Sequence, residues 1–228
     1  MKLIDVSEIQ TAIDWSRVAD ADAVIVRFSR GGDADCCCGI SPETDEMAER
    51  NLRGCAVHRI ACGVSHVLGG ITVSEVKAEA KWLISRLSEV SGSVSLPVVA
   101  VCLGENGEAA EKYRQCTPAH NAELVRVFCG CLRRAGYVPL LRADRETLSF
   151  VVAREKLGSV GIWYVRPYVG RQIAVSEEPD MVLWQYSTEL SPRNAGICAD
   201  YTVSTSNKFA MVRRPVRPHT AAERLCAC

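Results

Sequence analysis

The residues of this sequence best suited to chemistry fall at or near the ends of short apolar runs. Asp5 lies in KLIDV, Arg27 in AVIVRF and His66 at the end of IACGVSH. Trp163 and Tyr164 lie in VGIWYV, Trp184, Gln185 and Tyr186 in MVLWQY, and Asp200 in ICADY. If these runs are strands of one parallel barrel, their C-terminal ends meet at a single mouth, where barrel chemistry sits. Carboxylates, amides and aromatic rings would then converge. Aromatic faces stack on sugar rings, and carboxylates and amides bind hydroxyls, so the set suits a polyhydroxylated ligand. A plainer reading stands beside each residue. His66 can be a hydrogen-bonded structural histidine, Trp184 can be half core, and Asp5 and Asp200 can simply hold Arg27. Trp15 and Trp82 read as helix–barrel packing. Asp14 and Asp45 read as helix-start residues favoured by the macrodipole.

The elements that must position these groups alternate between two periodicities. Runs at 2–6, 23–28, 60–66, 95–103, 137–141, 160–165, 181–186 and 197–201 read as strands. Several are continuous β-branched stretches, as buried parallel strands are. Between them, 9–19, 45–59 and 119–135 read as helices. A further helix carries Val76, Ala80, Leu83 and Leu87 on one face, with Ser74 as its cap. Gly136 stands where a left-handed C-terminal residue belongs. Strand–helix alternation implies α/β architecture with a mostly parallel sheet. The helices thin out after residue 157, which favours one irregular (β/α) barrel over residues 1–209. Residues 210–228 are basic, proline-bearing and aperiodic, and read as a tail.

Composition narrows the function classes. Lys plus Arg equal Asp plus Glu at 27 each, so no charged surface points to nucleic acid as a partner. No stretch approaches the ~18 apolar residues of a membrane span. The N-terminus reaches Asp5 before any apolar run of signal-peptide length. The expectation is therefore synthesis in the cytoplasm without a signal peptide, with release by other means. Twelve cysteines occur, with Cys129/Cys131 and Cys226/Cys228 as C-x-C pairs and Cys36–Cys38 as a run of three, but no set has zinc-ligand spacing. No metal and no cofactor are expected. The cysteines read as reduced, with Cys55, Cys62, Cys129 and Cys131 buried and Cys36–Cys38 the most exposed.

Five segments in order resemble the family 25 glycoside hydrolases, the lysozyme-type muramidases of bacterial cell walls. IDVSEIQTAIDW resembles their opening and AVIVRFSRGG their second strand. DEMAERNLRGCAVHRIACGVSH resembles their D…N…A…G-x-Y-H segment, with Ser65 where tyrosine is usual. VKAEAKWL resembles their E-A helix, and LWQYSTELSPRNAGICADYT their closing segment, with Thr202 where asparagine is usual. The resemblance spans residues 3–205. It implies a TIM-like barrel, a peptidoglycan substrate, and cleavage of the β-1,4 bond between N-acetylmuramic acid and N-acetylglucosamine. It also implies a sugar cleft walled by Trp163, Tyr168, Trp184 and Tyr186, with Arg27, His66 and Gln185 as hydrogen-bond partners.

One departure bears on activity. The family carries a D-x-E pair four and six residues beyond an L-P, and here LPVVAVCLGENG puts Val101 and Leu103 there. Glycoside cleavage commonly needs two carboxyl groups. Glu105 shares strand parity with Leu103, but lies roughly 6–7 Å further along. A proton donor must come within about 3 Å of its target. Two readings follow. In one, the barrel is catalytically impaired and keeps a glycan-binding or structural role, in isolation or within a larger assembly. In the other, it is an active muramidase with Glu105 as proton donor and Asp5 and Asp200 as electrostatic and orienting carboxylates.

Overall fold

Continuous apolar runs become strands and one-faced apolar stretches become helices that cover them. The computed structural model describes residues 2–10, 13–18, 21–32, 42–90, 92, 98–104, 107–166, 180–187 and 200–204. Its strands are β1 (Lys2–Val6), β2 (Ala23–Arg30), β3 (Glu43–Thr44), β4 (Ala61–Leu68) and β5 (Val98–Leu103). They continue with β6 (Val138–Asp144), β7 (Gly161–Val165), β8 (Met181–Ser187) and β9 (Asp200–Ser204). The helices are α1 (Ala48–Val57), α2 (Val73–Glu89), α3 (Gly107–Gln115) and α4 (Pro118–Arg134).

The sheet order is β1-β9-β8-β7-β6-β5-β4-β2-β3, and β1 also pairs with β2. The ring therefore closes into the expected α/β barrel, with β3 as a short flap on β2. Parallel pairing runs from β1 through β2 and β4 to β8, whereas β9 is antiparallel to both of its neighbours. Asp200 thus begins the last strand, where the sequence pattern placed it near the end of a parallel one. The outcome for position is the same. Antiparallel β9 starts where β1 finishes, and Asp200 is the register partner of Asp5.

Alternation along the strands sorts side chains into two cores. Leu3, Ala23, Ile25, Val98, Ala100, Leu140, Trp163, Val182 and Leu183 plug the barrel interior. The opposite parity, Ile4, Val24, Val64, Val99 and Val101 among others, packs outward against the helices. A helix buries this outer layer with a single stripe. On α2 the buried residues are Val76, Glu79, Ala80, Leu83, Ile84 and Leu87, the i, i+3, i+4 spacing of one face. On α4, Gly136 adopts φ 88° just past the helix. The Gly136 and Tyr137 amides donate back to Arg133 and Leu132, closing the C-terminus in the expected left-handed turn.

Three local expectations are corrected. The α2 cap is Thr72, not Ser74. Thr72 Oγ1 accepts from the Glu75 amide and Glu75 Oε2 accepts from the Thr72 amide, a reciprocal box that Ser74 cannot make. Within 9–19 only the 3₁₀ turn Trp15–Arg17 forms among the described residues, because Asp14 accepts from the Ser16 amide and favours a turn. Helix α3 escaped the sequence reading because it is mostly polar; among its described side chains only Ala110 and Tyr113 are buried.

Among the described residues Cys55, Cys62, Cys102, Cys116, Cys129 and Cys131 are in no disulfide, and all but Cys116 are buried. Burial pushes the Cys129 thiol up to about 12. The unfolded chain releases that proton at lower pH, so this thiol's contribution to stability declines as pH rises from the ordinary thiol range toward 12. Reactivity needs thiolate and access. Iodoacetamide at pH 8.5 is expected to label Cys116 and to spare Cys55, Cys62, Cys129 and Cys131 until denaturant is added, read by peptide mapping. Cys36–Cys38, Cys198, Cys226 and Cys228 lie outside the described residues, as does the tail at 210–228. No grouping of three or more potential metal ligands occurs among the described residues. No described helix is long and apolar enough to cross a membrane.

Candidate functional site

The barrel's interior parity decides which side chains reach its mouth. Two residues beyond an inward-facing residue is again inward-facing. Leu3 is followed by Asp5, Ile25 by Arg27, Ala100 by Cys102, Leu140 by Arg142 and Leu183 by Gln185. These residues form the layer above the apolar plug, at the C-terminal ends of β1, β2, β5, β6 and β8. Asp5 and Gln185 both meet Arg142 there, and parity puts Arg27 on the inward face of β2.

Arg142 is the member that the sequence reading missed. The apolar run 137–141 stops three residues short of the end of β6, which runs on to Asp144. Arg142 Nε donates to Gln185 Oε1 at 3.0 Å and lies 3.9 Å from Asp5 Oδ2. Its guanidinium sits 5.4 Å from the centroid of the Trp163 ring. The side chains of Arg142 and Asp5 are 18% and 11% exposed, so the pair is largely buried yet reached by solvent. The signal was available in the parity of Leu140, had the strand been extended by one turn of the pleat.

Three binding expectations change. His66 is fully buried and faces the helices, not the mouth. Its Nε2 meets Glu79 Oε1 at 2.7 Å and its Nδ1 meets Ser29 Oγ at 2.8 Å. The ring stacks on Phe128 at 5.3 Å. Trp163 is fully buried within the plug, and Trp184 is 3% exposed in the outer core, donating Nε1–H to the Arg166 carbonyl. Neither indole offers an open face to a sugar. Trp163 instead forms the floor beneath Arg142. For Tyr186 and Asp200 only the strand positions are described. Glu105 and Tyr168 lie outside the described residues.

The two positions that the resemblance assigns to the acidic pair face the helices. Val101 is fully buried in the outer core, and Leu103 packs against that same core. Counting from Pro97 therefore lands on the outward face of β5. The inward positions near its end are Ala100 and Cys102, neither of which carries a carboxylate.

Ser29, His66 and Glu79 have the order of a hydroxyl–imidazole–carboxylate relay, yet are only 1%, 0% and 1% exposed. No substrate reaches them. A bulge between Arg27 and Ser29 turns Ser29 to the outer face, where His66 lies. Glu79 also accepts the Gly69 amide at 3.0 Å and the Gly70 amide at 2.9 Å. With Nε2 donating to Glu79, Nδ1 of a neutral ring accepts from the Ser29 hydroxyl. The network ties β2, β4 and the loop above β4 to α2. Asp45 plays a similar part, accepting the Glu8 and Met47 amides and so joining the β1 loop to the start of α1.

No protein-family model and no curated protein sequence matches the chain. Solved structures do. The bacterial lysozyme from Streptomyces coelicolor superposes with a TM-score of 0.67 at 16% identity, covering 93% of this chain and 95% of the lysozyme. A family 25 glycosyl hydrolase from Bacillus anthracis gives 0.64 at 15%, covering 94% and 93%. The modular autolysin LytC from Streptococcus pneumoniae, solved with a synthetic peptidoglycan ligand, gives 0.68 at 20% over 88% of this chain, which spans 46% of LytC. At these identities the likeness is one of fold: the chain is built as the α/β barrel of the family 25 lysozymes.

Proposed function

We propose that this barrel is a peptidoglycan-directed domain that binds N-acetylated glycan at its mouth and cleaves it weakly or not at all. The observation that carries the reading is the pairing of what the mouth keeps with what β5 lacks. Asp5, Arg27, Arg142 and Gln185 offer donors and acceptors for sugar hydroxyls and acetamido groups. Ala100 and Cys102, the inward positions of β5, offer neither a proton donor nor a nucleophilic carboxylate. Binding needs only the first set, so it can outlive catalysis. Asp5 and Asp200, register partners on β1 and β9, are the orienting carboxylates of this proposal. Its place of action is the cell wall.

Trp163 supplies a reporter, because a ligand that moves Arg142 changes the field over the indole. Titrating muropeptides or chitin oligomers is expected to give a saturable change in tryptophan fluorescence at up to millimolar sugar. Arg142→Gln is expected to alter its amplitude. A flat titration with both ligand types would sink the binding reading and leave a scaffold role.

A further inference from the structure

We infer that a groove on the outer flank of the barrel binds a linear polyanion, a chain of polyols joined by phosphodiesters. This is independent of glycan binding at the mouth. One wall of the groove is α4, and the other is formed by residues 156–159, which lead into β7. The stretch from Ala153 to Ser159 is fastened to the helix at both ends. The Ala153 amide donates to the Pro118 carbonyl at 2.9 Å, and Arg133 Nη2 donates to the Ser159 carbonyl at 3.0 Å. The groove between them has a volume of about 760 Å³, within the ordinary range of ligand clefts. Val127 and Leu157 pack on the outer core and give it an apolar floor. Glu123, Arg126 and Arg133 rise from one exposed stripe of α4, and Lys156 stands on the opposite wall. Three cations thus share the groove with one carboxylate. Among the described residues Arg126 and Lys156 form no ion pair, although Glu123 lies one turn from Arg126.

The arrangement of charge selects the ligand. A single phosphate is held best by cations that converge on one point. A helix rises about 1.5 Å per residue, so Arg126 and Arg133 are staggered by roughly 10 Å along the groove. Charges spread in this way match an anion that repeats along a chain, and guanidinium groups pair well with phosphate oxygens. A nucleic acid repeats its charge too, but single strands are gripped by aromatic faces on which the bases stack. Among the described residues no Phe, Tyr or Trp lines the groove. Its apolar floor suits the C–H edges of a polyol instead.

The test is isothermal titration of the full chain at low salt with a synthetic glycerol phosphate hexamer, inorganic phosphate and hexadeoxythymidylate. The hexamer is expected to bind at least about tenfold tighter than either of the others, and to weaken as salt rises. Reversing two exposed charges together, Arg126→Glu with Lys156→Glu, is expected to weaken hexamer binding by about tenfold or more. Glu123→Gln is expected to tighten it by about twofold, a gain that a misfolded variant cannot give. Arg133 is left intact because it holds the Ser159 carbonyl. Absence of hexamer binding, or binding that these variants leave unchanged, would overturn the inference. Inorganic phosphate binding as tightly as the hexamer would reduce the groove to a site for a single anion. An oligonucleotide that binds as tightly would assign it to nucleic acid. Either result would also overturn the inference.

Discussion

Peptidoglycan digested with this chain is expected to release reducing ends slower than with an active family 25 lysozyme by about 10²–10⁴-fold, the usual contribution of a positioned general acid. Each tenfold step corresponds to about 1.4 kcal/mol of barrier. On the proposed reading the cause is local to β5, and its inward parity names the residues to change. Cys102→Glu, alone and combined with Ala100→Asp, places carboxyl groups on the inward parity, beside the layer of Asp5 and Arg142. Release of reducing ends is expected to rise by about tenfold or more with the double change, consistent with the two-carboxylate requirement of glycoside cleavage. The change that the sequence alone suggests, Val101→Asp with Leu103→Glu, is expected to fail differently. Val101 is fully buried against the helices. A carboxylate there has no water and no partner, at a cost on the order of several kcal/mol. That variant should lose stability without gaining activity. Strong lysis by the natural chain would refute impaired catalysis, and loss of that lysis in Glu105→Gln would identify the donor.

That contrast shows how far the sequence could be read. The barrel was legible because apolar runs and one-faced helices leave periodic signals, and because ring closure sets β1 against β9 whatever the loops do. Asp5 and Asp200 were placed as partners on that argument alone. Facing was less legible. A one-residue shift along a strand reverses inside and outside, and Val101 and Leu103, the positions that the resemblance assigns to the acidic pair, fall on the outward parity of β5. His66 and Trp184 failed for the same reason. Both lie near strand ends, but on the outward parity, so chemistry-bearing side chains became packing. Arg142 was lost because a charged residue following apolar Leu140 and Leu141 looks like the end of a strand. Only the pairing of Arg142 with Trp163 and Cys102 across neighbouring strands reveals that β6 continues. The antiparallel turn of β9 has no local signal either, since strand direction depends on the length and path of the connection.

The largest loss of stability from a single side chain is expected at Glu79, a residue distant from the mouth chemistry. Its carboxylate is fully buried and accepts from His66 Nε2, Gly69 N and Gly70 N. Among the described residues, few hold so many donors through one side chain. Glu79→Ala leaves the imidazole and both amides without that acceptor, and opens a cavity under the loop. Leaving a buried donor unsatisfied typically costs about 1–3 kcal/mol, and three donors lose their acceptor here, so a loss of about 3–5 kcal/mol or more is expected. For a chain of this size, each kcal/mol lowers the melting temperature by roughly 2–4 °C, so a fall of about 6–20 °C is expected. Glu79→Gln should cost less, because its amide oxygen still accepts, but its NH₂ group faces the donors and the charge is gone. Ser29→Ala removes only the hydroxyl on Nδ1, and is expected to cost about 1–3 kcal/mol. The order, with Glu79→Ala worst, Glu79→Gln intermediate and Ser29→Ala mildest, follows from counting the donors left unsatisfied. The losses should persist in 1 M salt, because solvent ions do not reach a buried hydrogen-bond network. Gly31 gives an independent check. A Cβ there would collide with the Glu79 carboxylate and the Gly69 amide. Gly31→Ala is therefore expected to destabilise the natural chain and to be tolerated better when Glu79→Ala is already in place. That non-additivity, measured as a double-mutant cycle by denaturant melts, distinguishes a shared strut from two unrelated packing sites. Additive losses would show that Glu79 does not hold this loop.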